Sequence, residues 1–211
     1  EVVFRRAAAV SGEWEADFDL GRRSNFAATH QLLEACRALG SKPVFVFASS
    51  LAVFGKQPGR AMPEPITDET LPTPQSSYGI QKSIGEQMVA DYARKGFITG
   101  RSVRLMTVSV RPGRPNGAAS GFLSGMLREP LAGLRAQVPV KPETSVALAS
   151  PARTIEGIVR AAESSDERWG PLTGVNLPAL RTTVGEMAAA LEKVAGRDAT
   201  ALLDWTRDPA I

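Results

Sequence analysis

The sequence predicts an α/β fold: a doubly wound parallel sheet with a smaller α/β region after it. Short apolar runs alternate along the chain with segments of helical periodicity, which is typical of a sheet covered by helices on both faces. The run VFVFA at residues 44–48 is continuously apolar, as strands buried on both faces are. Gly40 and Gly96 stand where two helical patterns stop.

The elements of the first half follow from these patterns. Residues 2–9 read as a strand, 17–39 as a helix, 44–48 as a second strand, 76–95 as a helix and 103–110 as a third strand. Prolines crowd residues 55–75, which predicts a long surface loop, and long ordered loops are often functional. The helix at 17–39 has a predicted buried stripe of Phe26, Leu32, Leu33, Cys36 and Leu39.

Beyond Arg111, Pro112 and Gly113 the composition shifts toward Gly, Ala and Ser, which predicts a domain boundary. We assign residues 1–112 to one domain and 113–211 to a second region. Helices are expected near 121–131, 151–164 and 184–196, and short strands near Val146 and Val175.

Composition excludes several classes of protein. No apolar run approaches the ~20 residues that span a bilayer, so we expect no membrane association. The first residues lack the pattern of a signal peptide, so a cytoplasmic location is expected. The net charge of +3 is scattered and forms no basic stripe, which argues against nucleic-acid binding.

Individual residues have ordinary structural interpretations. Cys36, the single cysteine, fits a core thiol, and His30, the single histidine, fits a solvated helix position with no metal site around it. The acidic residues Glu13, Glu15, Asp17 and Asp19 precede or begin a helix and favour capping over catalysis.

One constellation carries chemistry. Ser49 and Ser50 end the central apolar run, and Tyr78 and Lys82 lie four apart on the following helix. Four helical residues turn by ~400° and rise ~6 Å, so both side chains project from one face. A tyrosine with pKa ~10 needs about 4 kcal/mol of help to act as a base at neutral pH. A lysine ~4 Å away supplies about that much at an effective dielectric of ~20.

These residues predict a proton-transfer site for alcohol or carbonyl chemistry. Tyr78 is the expected general acid/base, Lys82 its electrostatic activator and Ser50 the group that orients the substrate oxygen. Ser49 is an adjacent alternative for the orienting role. The other interpretation is a surface tyrosine and an exposed lysine in trivial helix contact.

Two segments carry a family resemblance: VFVFASSLAVFG at residues 44–55 and PQSSYGIQK at residues 74–82, with Asn25 in the helix before them. They resemble the extended short-chain dehydrogenase/reductase family, which includes nucleotide-sugar epimerases and dehydratases. Within it, RPGRPNGAASGFLSGMLREPLAG at 111–133 and DYARKGF at 91–97 are similar to members that act on small sugar acids.

The resemblance implies roles for particular positions. The catalytic residues would be Ser50, Tyr78 and Lys82; cofactor would be bound by Ala7, Ala8, Ser11, Asn25, Tyr78, Lys82 and Pro112; substrate would be bound by Ser50, Tyr78, Arg111, Asn116 and Ser120. Arg5 and Arg6 stand where the family usually has His-Leu, and a guanidinium buried there would need a partner.

The implied fold is a partial Rossmann-like doubly wound parallel sheet with a smaller α/β substrate-binding region. Residues 1–112 would be a partial NAD-binding domain, and residues 113–211 a substrate-binding region that is incomplete at its C-terminus.

The implied activity is NAD-dependent oxidation of a secondary alcohol of a small sugar acid. The implied assembly is a homodimer through the helix of Tyr78 and the one before it. A nucleotide-sugar epimerase or dehydratase, and a catalytically inactive truncated remnant, are the alternatives. The family's glycine-rich phosphate loop has no counterpart in this sequence, so we expect the chain to begin inside the cofactor domain and to stop before the family's last helix. We also expect weak NAD binding without that loop.

Overall fold

The computed structural model describes residues 1–6, 17–111 and 119–208. The chain forms two compact units. The first comprises residues 1–105 and 155–177, and the second comprises residues 106–154 and 178–211. The division into 1–112 and 113–211 stays a prediction.

A four-stranded parallel sheet organises the first unit. Its strands are β1 (Val2–Arg5), β2 (Val44–Ser50), β3 (Thr99–Leu105) and β7 (Val175–Asn176), in that spatial order. β1, β2 and β3 pair in parallel over their lengths, as the continuous apolar run of β2 predicts. The α/β class with a parallel sheet is therefore confirmed.

Helices flank this sheet. A short helix α1 (Phe18–Gly21), a π-helical stretch (Arg22–Ala27) and α2 (Ala28–Leu39) follow one another, and α3 (Ser77–Arg94) comes later. Asp17 caps α1 by accepting from the Leu20 N–H at 2.9 Å, which supports the capping role for this acidic residue. Glu13 and Glu15 lie outside the described residues. After α5 (Pro151–Glu163) comes the single turn α6 (Asp166–Trp169).

Two hydrophobic clusters show that the sheet is covered on both faces. On one face Leu33 and Cys36 of α2 and Val89 of α3 pack with Phe45 and Phe47 of β2. On the other face Ile158 and Ala161 of α5 pack with Val46 and Val103. Alternate residues of a strand point to opposite faces, so one apolar run serves both clusters.

The predicted stripe of the helix at 17–39 is only partly right. Leu33 and Cys36 are buried, but Phe26 is 38% exposed and Leu39 is 73% exposed. Phe26 lies in the π-helical stretch, whose wider turns break the 3.6-residue period on which the prediction rests. Leu39 is the last residue before the left-handed C-cap Gly40 and lies on the outer side. His30 is exposed, as predicted.

The proline-rich segment after β2 is an extended loop, as predicted. A 3₁₀ turn (Leu51–Val53) leads into it. The Thr73 hydroxyl donates to the Gly55 carbonyl at 2.7 Å and closes its base. The Asp68 carboxylate accepts the backbone N–H of Asn176 at 2.6 Å and ties the loop to β7.

The second unit is a smaller α/β structure. Strands β4 (Thr107–Val108), β6 (Ser145–Ala149) and β8 (Leu180–Thr183) form one sheet, and β5 (Ala136–Gln137) pairs with β9 (Leu203–Asp204). The helices are α4 (Phe122–Leu131), α7 (Val184–Ala195) and α8 (Arg197–Thr200). Their core centres on Leu123, Met126, Val138, Val184 and Leu191.

Among the helices of the described residues, none combines the length and apolarity that crossing a bilayer requires.

Candidate active site

Ser50 lies at the carboxyl end of β2, where the strand passes into a 3₁₀ turn. Its backbone is extended, with φ −150° and ψ 152°, and its hydroxyl accepts the N–H of Ala52 at 3.2 Å. Ligands of open parallel sheets bind beyond this edge. The position of Ser50 therefore agrees with a site residue.

Helix α3 comes unusually close to this turn. A Cβ on Gly79 would lie 2.1 Å from the Ala52 carbonyl oxygen, so only glycine permits the approach. Ser76 begins the helix by accepting the Gly79 N–H at 3.1 Å. The close contact brings Tyr78, on the first turn, beside the end of β2.

The Tyr78 hydroxyl is hydrogen-bonded to Ser50. Burial raises the pKa of the Tyr78 phenol, because the low-polarity surroundings disfavour the phenolate, and the bond from Ser50 partly opposes this. The phenol is thus held protonated at neutral pH in the ligand-free protein. Acting as a base requires a further positive charge near its oxygen.

Lys82 lies one turn along α3 and is 4% exposed. Its ammonium donates to the Ala48 carbonyl at 2.6 Å and lies 5.6 Å from the centre of the Tyr78 ring. Burial and the nearby Arg5 guanidinium lower the pKa of Lys82 to about 8, while Glu86 acts in the opposite direction. The lysine is therefore cationic at neutral pH and begins to lose its proton near pH 8.

Arg5 ends β1 beside this group and is buried, with 7% exposed. A guanidinium buried at this position needs hydrogen-bond acceptors. Arg5 donates to the Thr29 hydroxyl at 3.2 Å and to the Ser24 carbonyl at 2.5 Å. Burial still lowers the pKa of Arg5. The cation is accommodated by neutral acceptors of the π-helical stretch and α2.

Asn25 is a different case. It lies in the π-helical stretch, is 6% exposed, and neither its Nδ2 nor its Oδ1 has a hydrogen-bond partner within the described part of the chain. Buried amides are normally bonded, so an unsatisfied one indicates a group that a ligand could complete.

The remaining predicted cofactor residues Ala7, Ala8, Ser11 and Pro112, and the predicted substrate residue Asn116, lie outside the described residues. Arg111 and Ser120 belong to the second unit. The Arg111 backbone accepts from Arg128 at 3.0 Å and its N–H donates to Ser124 at 3.3 Å. Ser120 is half-buried in the 3₁₀ turn Ala119–Gly121.

Sequence reasoning missed one buried group near the site. Glu86 lies one turn beyond Lys82, is 0% exposed, and accepts hydrogen bonds from Ser49 and Arg104. The signal was present, because Tyr78, Lys82 and Glu86 follow a four-residue spacing along one helix face. Ser49, the alternative to Ser50, bonds Glu86 and is 2% exposed.

No group of three or more His, Cys, Asp or Glu side chains is arranged to hold a metal ion within residues 1–6, 17–111 and 119–208.

Comparison with known proteins gives close relatives. The chain is 49% identical over 209 residues to a D-erythronate dehydrogenase of Cupriavidus necator, covering 99% of this chain and 63% of the relative. A D-erythronate dehydrogenase of Haemophilus influenzae is 43% identical, covering 93% and 61%. The chain spans less than two thirds of the length of these relatives.

A solved structure has the same fold. The structure titled as a nucleoside-diphosphate-sugar epimerase from Agrobacterium tumefaciens superposes with a TM-score of 0.92 at 45% identity, covering 99% of this chain and 61% of that one. This confirms the Rossmann-like class. The family model described as NAD dependent epimerase/dehydratase matches residues 1–146. The chain belongs to the NAD dependent epimerase/dehydratase family.

Proposed function

We propose that this chain belongs to a cytoplasmic NAD-dependent dehydrogenase that oxidises a secondary alcohol of a small sugar acid such as D-erythronate. One observation carries the proposal: the Tyr78 hydroxyl is bonded to Ser50 at the carboxyl edge of the sheet, with the Lys82 ammonium one turn away. The identity to two D-erythronate dehydrogenases over nearly the whole chain supports the choice of substrate.

In this proposal Ser50 donates to the substrate hydroxyl oxygen and Tyr78 receives the hydroxyl proton. The family's name implies NAD, which when bound accepts the hydride from the carbinol carbon. The proton and the hydride leave together, so the alcohol becomes a carbonyl and the charges balance. Tyr78 alone accepts no proton at neutral pH, because burial raises its pKa and keeps the phenol protonated. A cation ~6 Å from the phenol oxygen favours the phenolate by about 3 kcal/mol at an effective dielectric of ~20. We assign this role to Lys82, whose ammonium lies 5.6 Å from the centre of the Tyr78 ring.

The residues present fit a nicotinamide cofactor. Among the described residues the buried Asn25 amide has no hydrogen-bond partner, and Lys82 has ammonium protons beyond the one given to Ala48. We assign cofactor contacts to Asn25, Tyr78 and Lys82. The family resemblance adds Ala7, Ala8, Ser11 and Pro112 to this set.

A sugar acid needs a cation for its carboxylate. Arg111 is the candidate, because a guanidinium binds a carboxylate through two parallel hydrogen bonds. Asn116 and Ser120 are further candidates from the same segment of the sequence. All three are proposals for the complete protein.

The test is oxidation of D-erythronate by the full-length natural protein with NAD, followed by NADH absorbance. Tyr78→Phe should lower kcat by about 10³-fold while NAD affinity stays within a few fold, since only the proton acceptor is lost. Tyr92→Phe is the matched control, because Tyr92 bonds Glu34 away from the site and is the only other tyrosine. Equal kcat in the two variants would remove Tyr78 from its role.

A second candidate is a nucleotide-sugar epimerase, favoured by the 45% identity to the nucleoside-diphosphate-sugar epimerase from Agrobacterium tumefaciens. Turnover of a UDP-sugar without D-erythronate oxidation would reverse the choice. A catalytically inactive remnant is the third. Calorimetry with NAD decides it, because micromolar binding by the 211-residue chain would exclude a remnant that has lost its cofactor site.

We also propose a homodimer formed through α3 and the helical segment before it, which comprises α1, the π-helical stretch and α2. Exposed apolar side chains are Phe18, Phe26, Ile80 and Ile84, with 61%, 38%, 45% and 39% exposed. Ile80 and Ile84 are one turn apart on α3, and contiguous apolar patches mark contacts. Light scattering should give twice the monomer mass, and Ile84→Glu should give the monomer. A monomeric wild type would refute this assembly.

A further inference from the structure

Three successive turns of α3 are linked to the end of β2 by polar bonds. The residues that reach the strand are spaced four apart and therefore project from one face. The linked pairs are Tyr78 with Ser50, Lys82 with the Ala48 carbonyl, and Glu86 with Ser49. The first two pairs belong to the proposed catalytic site, whereas the third has no assigned role.

In the third pair, the Glu86 carboxylate accepts hydrogen bonds from two side chains. The Ser49 hydroxyl donates to its Oε1 at 2.5 Å, and Arg104 donates from Nε to Oε1 at 3.0 Å and from Nη2 to Oε2 at 2.8 Å. Ser49 and Arg104 are neighbours in the register of β2 and β3. One carboxylate thus ties α3 to both central strands.

The surroundings of this carboxylate leave little freedom. Glu86 is 0% exposed and Arg104 is 2% exposed, and the guanidinium lies 5.0 Å from the centre of the Phe54 ring. A Cβ on Gly174 would come within 2.9 Å of Glu86 Oε2. A fixed geometry for Glu86 follows from these contacts.

Stability does not explain why a charged pair is buried here. Removing two charges from water is costly, and apolar side chains of similar volume often replace a buried ion pair without loss of stability. The location of the pair, one turn behind Lys82 and next to Ser50, points instead to the site. Buried charge retained beside a reactive group is a candidate for positioning and for electrostatic tuning.

The charges around Lys82 define what Glu86 contributes. Arg5 faces it from β1 and Tyr78 and Glu86 from its own helix, while Arg104 of β3 is bound to Glu86. Arg5 lowers the pKa of Lys82 and Glu86 raises it. Glu86 thus favours the cationic form of Lys82, whereas burial and Arg5 favour the neutral form.

Resting on the function proposed above, we propose that Glu86 is a positioning residue. Its carboxylate, held by Arg104, fixes the helix of Tyr78 and Lys82 against the strand of Ser50 and keeps a negative charge one turn from the Lys82 ammonium. The residue touches neither substrate nor cofactor in this assignment. It acts through Ser49 and Lys82.

The first test is the pH profile of kcat for Glu86→Gln in the full-length natural protein. Loss of the charge favours neutral Lys82, so the alkaline limb should move down by about one pH unit. Misplacement of the helix should lower kcat by ~10-fold to ~100-fold. Glu86→Asp keeps the charge and should restore the limb. Ser49→Ala keeps the carboxylate and should lower kcat without moving the limb.

The second test needs no activity. In the 211-residue chain, Tyr92→Phe leaves Tyr78 as the only tyrosine, and its phenolate can be titrated by ultraviolet absorbance. Adding Glu86→Gln should lower the pKa of Tyr78, because loss of the link between α3 and β2 relaxes the burial that raises this pKa. Lys82 is already neutral in the pH range of this titration, so its response does not obscure the result.

Glu86→Gln leaves Arg104 as a buried unpaired cation and can prevent folding. If the single variant does not fold, the double variant Glu86→Gln, Arg104→Gln takes its place. Its two facing amides are neutral and can hydrogen-bond each other. A folded variant whose alkaline limb and phenol titration both match the wild type would overturn the proposal. If the wild type oxidises no sugar acid, the proposed function fails while the phenol titration still decides the role of Glu86.

Discussion

Helices α2 and α3 cover the same face of the same sheet, but they bury different chemistry. In α2 the buried residues are Thr29, Leu33 and Cys36. In α3 they are Gly79, Gln81, Lys82, Gly85, Glu86 and Val89. Leu33, Cys36 and Val89 share one cluster with Phe45 and Phe47. The two helices thus meet a common core, yet only α3 places charge in it.

The difference separates stability from function within one layer. Apolar side chains stabilise the fold in proportion to the area they bury. Buried lysine and glutamate cost desolvation, and glycine in a helix lowers its stability. We infer that packing of α2 on this face of the sheet raises the free energy of unfolding. The buried polar residues of α3 lower the free energy of unfolding but hold the side chains of α3 against β2. Four substitutions test this comparison.

The largest change in the free energy of unfolding is expected for Leu33→Ala in α2. Leu33 is fully buried, and truncation of such a leucine leaves a cavity that lowers the free energy of unfolding by about 4 kcal/mol. Urea denaturation measures it. The position and bonds of Tyr78 and Lys82 should be unaffected, so kcat of the folded variant should stay near that of the wild type. A loss below about 1 kcal/mol, well under the usual range for a buried leucine, would contradict the assignment of α2 as the stabilising helix.

Lys82→Met should change how stability depends on pH. The folded pKa of Lys82, about 8, is below the ordinary value of 10.5, so the unfolded chain binds more protons between these pH values. The cost of burying the cation is complete below pH 8 and is relieved as the pH rises toward 10.5. The free energy of unfolding of the wild type should therefore rise by about 3 kcal/mol relative to Lys82→Met over this interval.

Urea denaturation of both proteins at several pH values gives this difference directly, and other titrating groups cancel. Parallel curves for the two proteins would mean that burying the Lys82 ammonium has no cost.

A smaller loss is expected for Gly79→Ala. The new Cβ would lie 2.1 Å from the Ala52 carbonyl oxygen, and backbone cannot yield as a flexible side chain does. The helix must move away, which should lower the free energy of unfolding by roughly 2 kcal/mol in urea denaturation. Ser83→Ala is the control, because it introduces alanine on the same helix without replacing a glycine that approaches backbone. Equal stability of the two variants would show that the close approach is not required.

The smallest effect is expected for Leu39→Ala. Leu39 is 73% exposed at the end of α2, so its truncation should change the free energy of unfolding by less than about 0.5 kcal/mol. Compared with Leu33→Ala, it isolates burial from residue type on one helix. A loss similar to that of Leu33→Ala would restore the stripe that the sequence predicts.

The sequence predicted most elements because their signals are local. The apolar run of β2, the cap at Ser76 and the glycine at Gly40 each lie within or beside the element they define. Phe26 was assigned to the core because the π-helical stretch has no sequence signal that we could recognise. Its wider turns change the face on which a residue lies.

Buried arginines account for other differences. The third strand was predicted over residues 103–110, but β3 begins at Thr99 and ends at Leu105, and the part that was missed includes the buried Arg101. Arg101 bonds Asp166 at 2.6 Å and Arg104 bonds Glu86 at 2.8 Å, and both partners are distant in sequence. Local sequence patterns do not indicate partners that are so far away in sequence. Residues of this kind resemble surface positions until the fold is known.

The first unit is discontinuous, which bears on how it assembles on the ribosome. β7 joins the edge of β3 only after residues 106–154 have been synthesised. Until then the nascent chain has an open strand edge, and such edges invite aggregation. The buried Arg101 guanidinium donates to Gly100, Ser164 and Asp166, and the last two acceptors belong to the later segment of this unit. Two of these three acceptors are therefore available to the Arg101 guanidinium only once the chain has been synthesised past residue 166.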